Sequence, residues 1–352
     1  MLSASGRRRS SRRWATLAAA VLILVAAATA VLHPPNAQAL ENGAARTPPM
    51  GWNSWNTFGC NINENLIRQM ADAIVGSGLR DLGYQYVVVD DCWFNPSRDS
   101  SGNLQGDPTR FPSGMKSLGD YLHGRGLKFG LYEVPLDKTC AQYFGSYPGA
   151  TGSQGHEAQD ARQFAAWGVD YLKYDWCSPT GSITDQVNTF ARMRDALAAS
   201  GRPIVYSINP NSIHAKTGPQ RNWGDVANLW RTTEDITNAW DTGQTNGYPM
   251  GIQNIVNVTV PLSGYAGPGH FNDPDMLGKC LDAPLNATTN SKVQLWDCNG
   301  GSNQRWTLNT DGTVASAAAG LCLDVNGNAT ANGTTVILWT CTAAANQRWT
   351  RA

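Results

Sequence analysis

Tyr171-Leu172-Lys173-Tyr174-Asp175-Trp176-Cys177 reads as a short buried strand whose apolar and aromatic run ends abruptly in charged and cysteine residues. A carboxylate at the carboxyl end of a barrel strand faces the pocket that the loops above that rim enclose. The plainer alternative for Asp175 is a solvated residue that closes a strand. Its surroundings in the sequence decide between the two.

Outward from this segment, residues 48 to 277 alternate strand-like runs with helical patterns, as in βα units around a parallel sheet. The candidate strands are Met50–Trp55, Tyr86–Asp91, Lys128–Glu133, Tyr171–Asp175, Ile204–Ile208, Leu229–Thr232 and Gly269–Asp275. Between them lie helical patterns at Glu64–Ser77, Ser117–Arg125, His156–Trp167 and Ile183–Ala199. Strand after strand ends in polar groups: Asp90-Asp91, Glu133, Asp175, Asn209, Arg231 and Asp275. A doubly wound sheet also builds its site at strand ends but rarely recruits every strand, so the pattern favours a (β/α)8 barrel.

Residues 1–39 are set apart from this fold. Arg7, Arg8, Arg9, Arg12 and Arg13 precede the apolar run Trp14 to Leu32, and Ala37-Gln38-Ala39 supplies a small-x-small cleavage site. Together they make a secretory signal, with the mature chain starting near Leu40. Ser11-Arg12-Arg13-Trp14 loosely resembles a twin-arginine export signal. Without the five arginines, 22 basic residues face 27 acidic ones, a net charge of −5. A mildly acidic protein with no basic tract has no electrostatic footprint for nucleic acid, and signal cleavage leaves no membrane anchor. All eight cysteines follow the signal, an even count that in an exported chain points to disulfides. The sequence has no C-x-x-C pair or histidine-rich cluster to suggest a metal instead.

Residues 278–352 follow a different pattern. Cys280-Leu281-Asp282, Leu295-Trp296-Asp297-Cys298 and Asn303-Gln304-Arg305-Trp306 recur as Cys322-Leu323-Asp324, Leu338-Trp339-Thr340-Cys341 and Asn346-Gln347-Arg348-Trp349, at a period of 42 to 43 residues. Helix signals are absent, and short β repeats of this kind need one another to bury their apolar faces. Two cysteines per repeat make Cys280–Cys298 and Cys322–Cys341 the economical pairs. The repeats resemble the ricin-B-type β-trefoil lectin module, here a partial all-β trefoil of two repeats rather than three. The resemblance implies sugar contacts at Asp282, Gln294, Trp296, Asn303 and Gln304, and at Asp324, Trp339, Asn346 and Gln347. An aromatic plane stacks on a sugar's C–H face while amides and a carboxylate bond its hydroxyls. Ile337 stands where the second repeat lacks its glutamine. Trp306 and Trp349 are expected in the core.

A second carboxylate candidate lies in Trp230-Arg231-Thr232-Thr233-Glu234-Asp235, at the next-but-one strand after Asp175. Two carboxylates converging from non-adjacent strands are the minimum apparatus of glycoside hydrolysis, roughly 5 Å apart in a retaining enzyme. Thr47 through Trp55, Val89-Asp90-Asp91-Cys92-Trp93, Lys173 through Cys177, Trp230 through Asp235 and Asn272-Asp273-Pro274-Asp275-Met276 together resemble the α-galactosidases (melibiases) of glycoside hydrolase family 27. That resemblance implies a retaining double displacement at α-galactosides with no metal or organic cofactor. It makes Asp175 the nucleophile and Asp235 the acid/base. Trp52, Asp90, Asp91, Tyr132, Lys173, Arg231 and Asp275 become substrate-binding residues, and Cys60–Cys92 and Cys140–Cys177 become disulfides. Lys173 and Arg231 are expected to keep nearby carboxylates ionised while desolvation raises the acid/base. Glu133 and Glu234 are read as structural.

Two departures from the family pattern stand out. Ser207-Ile208-Asn209-Pro210-Asn211-Ser212 replaces the family's Cys-Glu-Trp type segment, so selectivity at the sugar's C2 does not carry over. Past Met276-Leu277 the chain runs straight into the lectin repeat, where the family has a further helix, an eighth strand and a β-sandwich. The expected organisation is a signal at 1–39, a glycosidase barrel lacking its eighth strand at 40–277, and a lectin module at 278–352. The expected protein is a secreted α-galactosidase that binds α-galactosides in the barrel and polysaccharide through the lectin. The alternatives are an inactive, shortened glycosidase that only binds carbohydrate, and a β-L-arabinopyranosidase.

Overall fold

The computed structural model describes residue 40 and residues 42–178, 180–211, 216–237, 239–275, 279–297, 302–331 and 334–349. Seven strands form one sheet in sequence order: β1 (Met50–Asn53), β2 (Tyr84–Val89), β3 (Lys128–Glu133), β4 (Tyr171–Asp175), β5 (Val205–Asn209), β6 (Leu229–Arg231) and β7 (Phe271–Asp273). Every neighbouring pair is parallel. This is a (β/α)8-type barrel lacking one strand. Among the described residues nothing pairs β7 with β1, so both carry open edges.

Helices cover the outer face: α1 (Glu64–Gly76), α2 (Gly114–His123), α3 (Glu157–Trp167), α4 (Ile183–Ala199) and α5 (Ile252–Thr259). The longest, α4, starts where the Ser182 hydroxyl accepts from the Asp185 amide in a capping box. Its Gln186, Phe190, Met193 and Leu197 are buried at helical spacing. Phe190 seats the helix against Tyr174, Trp176 and Trp223, with ring centroids 6.2, 5.7 and 6.2 Å away. The strands' period-two alternation then fixes the other face. Leu172 and Tyr174 join the helix-side core, so Tyr171, Lys173 and Asp175 turn into the barrel.

The base of the barrel is plugged by an apolar layer of Val205 and Leu229 with Tyr86, Tyr171, Phe271, Ala44 and Ala45. That closes the amino-terminal end and leaves the carboxyl-terminal end for polar groups. Compared with the sequence reading, β2 starts two residues earlier, Asp90 and Asp91 lie just past its end, and β7 is shorter than expected.

The C-terminal repeats form a two-stranded antiparallel sheet, β8 (Lys279–Asp282) with β9 (Gln294–Asp297). A four-stranded antiparallel sheet follows: β10 (Trp306–Leu308), β11 (Val314–Ser316), β12 (Cys322–Val325) and β13 (Val336–Trp339). The helical turns among their described residues are short 3-10 turns, as the composition suggested. One core serves both repeats, with Ala283, Leu323 and Leu338 at its centre and Leu281, Trp306, Val336 and Trp349 around them. Lys292 bridges to Ile337 across the repeats.

Candidate active site

The strand ends bring three expected groups into one charged cluster. Lys173 Nζ lies 2.8 Å from Asp90 Oδ2 and 3.6 Å from Asp175 Oδ2, tying β2 to β4. Asp90 Oδ2 also accepts from Asn53 Nδ2 at 2.6 Å, and the Asp90 amide donates to Ser54 Oγ at 3.0 Å. Asn53 is not among the expected site residues although it lies inside the Thr47 through Trp55 segment that carries the resemblance. It is polar at a strand end, the same signal that picked out the others. Trp52 lies edge-on to Phe58 at 6.1 Å and packs on the main core.

On the other side, Arg231 is a junction. Its Nη2 donates to Asp235 Oδ1 and to the Thr233 carbonyl, each at 3.0 Å, and its Nη1 lies 2.9 Å from Asp275 Oδ1. Asp275 Oδ2 accepts from the Ile236 amide at 2.6 Å. Glu234 turns away into an ion pair with Lys216, and its amide donates to Asn246 Oδ1 at 3.2 Å. Glu133 is fully buried, with Oε2 accepting from the Val134 amide. Burial raises it well above the usual carboxylate range.

Asp91 and Tyr132 occupy a supporting position. Asp91 Oδ1 accepts from the Cys92 amide at 2.7 Å and Oδ2 from the Ala141 amide at 2.8 Å. Tyr132 Oη accepts from the Cys140 amide at 3.4 Å and lies 3.7 Å from Cys177 Sγ. Both therefore brace the one-turn helix Cys140–Tyr143, which the Cys140–Cys177 disulfide ties to the segment after Asp175. Cys60–Cys92 and Cys322–Cys341 are also bonded; Cys280–Cys298 lies outside the described residues. The sulfurs of Cys140 and Cys177 and the Asp175 carboxylate lie within 4.8 Å of one another. The sulfurs are joined and offer no thiolate to a metal.

The pKa shifts of the two acids run opposite to expectation. Burial pushes Asp175 up to about 6, although Lys173 and Arg231 pull it down and Asp90 and Asp235 push it further up. Its Oδ1 is buried with no partner. For Asp235, burial again acts upward, but the charge and hydrogen bond of Arg231, with Lys173 and Lys216, hold it below the usual carboxylate range. That direction suits a side chain 61% exposed and ion-paired. Both shifts thus run opposite to those expected, although a carboxyl at about 6 is still mostly ionised at neutral pH. The cause is tertiary: Asp175 is sunk in the bowl, and Arg231 pairs with Asp235 instead. Burial also raises Asp91 to about 6, against its two amide donors. For Lys173, burial disfavours the ammonium, but Asp175 and Asp90 more than offset it.

In the C-terminal repeats, Asp282 is a buried hub. It accepts from Gln294 Nε2 at 3.0 Å, Asn303 Nδ2 at 2.8 Å and Gln304 Nε2 at 2.9 Å. Asp324 repeats the pattern with Asn346 Nδ2 and Gln347 Nε2, each at 2.8 Å. Ile337 is buried where the third amide would stand. The Trp306 and Trp349 indoles donate to the Leu281 and Leu323 carbonyls at 2.8 and 3.3 Å, in the core as expected. Trp339 is 41% exposed, and the Trp296 side chain lies outside the described residues.

The family model described as alpha galactosidase A matches residues 47–297, and that of the ricin-type beta-trefoil lectin domain matches 270–352. An alpha-galactosidase A of Cellvibrio japonicus is 46% identical over 247 residues, which cover 69% of this chain and 57% of that protein. An alpha-galactosidase of Cyamopsis tetragonoloba is 46% identical over 238 residues, 67% of this chain and 53% of its own. The crystal structure of alpha-galactosidase I from Mortierella vinacea superposes with a TM-score of 0.61 at 39% identity, covering 67% of this chain and 61% of that one. The chain thus spans little more than half the length of these curated relatives.

Proposed function

Since the chain belongs to the alpha-galactosidase A family of glycoside hydrolases and carries a ricin-type lectin segment, we propose that it hydrolyses terminal α-galactosides with retention of configuration. Asp175 attacks the anomeric carbon as Asp235 gives a proton to the departing glycosidic oxygen. Asp235 then takes a proton from water, which displaces Asp175 and releases galactose. Asp90 and Lys173 hold sugar hydroxyls, with Trp52 and Arg231 bordering the ring. A bound sugar reconciles the charge states: it excludes water from Asp235, raising it, and its hydroxyls donate to Asp175, lowering it.

One observation carries this reading. A carboxylate oxygen of Asp175 is buried without a partner, beside a lysine held between two acids. Such a group costs stability and invites an electrophile. The glycosidase barrel occupies 40–277 and the lectin 278–352 in this reading. The Asp282 hub, with its three amides, is the better formed sugar site, and the ligand is a polysaccharide that brings galactosides to the barrel. The signal at 1–39 sends the chain out of the cell. Among the described residues three disulfides support that route, and no helix is long and apolar enough to cross a membrane.

The open edges of β1 and β7 favour a second reading, a carbohydrate-binding protein without turnover. Release of p-nitrophenol from its α-galactoside separates the two. The enzyme reading expects turnover lost in Asp175→Ala and strongly reduced in Asp235→Ala. Equal rates in all three proteins would end it.

A further inference from the structure

The Asn-Asp-Pro-Asp segment after β7 carries Asp275, expected from the family pattern to touch substrate. Its contacts lead elsewhere. Both carboxylate oxygens are engaged, Oδ1 by Arg231 Nη1 at 2.9 Å and Oδ2 by the Ile236 amide at 2.6 Å, and the side chain is 4% exposed. The two partners flank Asp235: Ile236 is the next residue, and Arg231 holds Asp235 Oδ1 through its other nitrogen. The Asp275 backbone sits at φ 79°, a left-handed conformation that few non-glycine residues adopt. Its amide donates to Asp273 Oδ1 at 3.2 Å, which fixes that turn.

We propose that Asp275 is a positioning residue, holding Asp235 and its loop in place from two sides rather than binding sugar. This rests on the reading of Asp235 as acid/base. The clamp has a purpose, because the segment after Asp235 is otherwise tied to its own loop. Met250 donates to the Asp235 carbonyl at 3.1 Å and Thr237 donates to the Met250 carbonyl at 2.8 Å. Asp275 ties that loop to the segment after β7, while Thr232 and Thr233, just before it, bond the Asp273 and Pro274 carbonyls. It also divides the charge of Arg231 between two carboxylates. The other groups facing Asp235 are Lys173 and Asp175 from β4, Lys216 and Glu234 from the neighbouring loops, and Asp273 beyond Arg231.

Asp275→Ala and Asp275→Asn test the clamp through amide exchange at Ile236 and through kinetics. In Asp275→Ala the Ile236 amide exchanges about tenfold faster or more, having lost a charged acceptor. Its kcat falls by about 10²-fold while KM changes by less than about twofold. Asp275→Asn keeps an acceptor, so Ile236 stays protected. Its loss of charge leaves Arg231 to Asp235 alone, and the alkaline limb of kcat, set by Asp235 in the sugar complex, moves to lower pH. Unchanged Ile236 exchange in Asp275→Ala, or a raised KM with kcat preserved, would overturn the proposal. If Asp275→Ala does not fold, an unmoved alkaline limb in Asp275→Asn overturns it. If the unaltered chain shows no turnover, the functional reading fails while exchange at Ile236 still decides the clamp.

Discussion

Asp175 serves attack and folding in opposite directions. Its pKa of about 6 in the folded protein lies above the value of an unfolded aspartate, so the folded state holds the extra proton. Stability therefore falls as pH rises from about 4 to about 6, by about 3 kcal/mol, and Asp91 acts with the same sign. Asp175→Asn, which cannot ionise, is expected to melt several degrees above the unaltered protein at pH 7 while losing turnover by at least about 10³-fold. An equal or lower melting temperature contradicts the burial argument. The position of Asp175 was legible from a polar residue ending an aromatic strand. Its charge state was not, because that depends on which acid Arg231 reaches from β6.

At the scale of elements, the strand-like runs and the helical patterns between them located most strands and helices. The sequence did not reveal α5, whose Ile252, Ile255, Val256, Val258 and Thr259 are β-branched and weak helix formers. Tertiary packing overrides that propensity. Arg231 depends on a contact no local pattern could show: a Cβ on Gly218 would lie 1.9 Å from the Arg231 carbonyl oxygen. The loop between β5 and β6 presses directly on the strand that carries the guanidinium. Gly218→Ala is thus expected to destabilise the fold by about 1–3 kcal/mol in urea unfolding and to lower kcat as Arg231 shifts. An unchanged unfolding midpoint would show that the loop yields freely.

For the whole molecule, the repeat period gave away the C-terminal β module, and the departure from the family pattern past Met276-Leu277 foretold an unclosed barrel. Where that gap leads was not legible. Beside β7, a cavity of about 300 Å³ is lined by Ile252, Ile255, Val256, Val260 and Pro274, and Val256 and Val260 are largely exposed. Unpaired strand edges next to apolar surface favour association. Sedimentation is expected to show a mean mass rising with protein concentration, and Val256→Lys with Val260→Lys to suppress the rise. A concentration-independent monomer would mean the edges are protected. The account as a whole turns on Asp175 bonding to the sugar. A fluorinated α-galactosyl donor, chosen so that the second step is slow, should trap the intermediate, with the added mass on the peptide spanning residues 171–177 after proteolysis and absent in Asp175→Asn. An adduct on any other peptide, or none at all, would contradict the account.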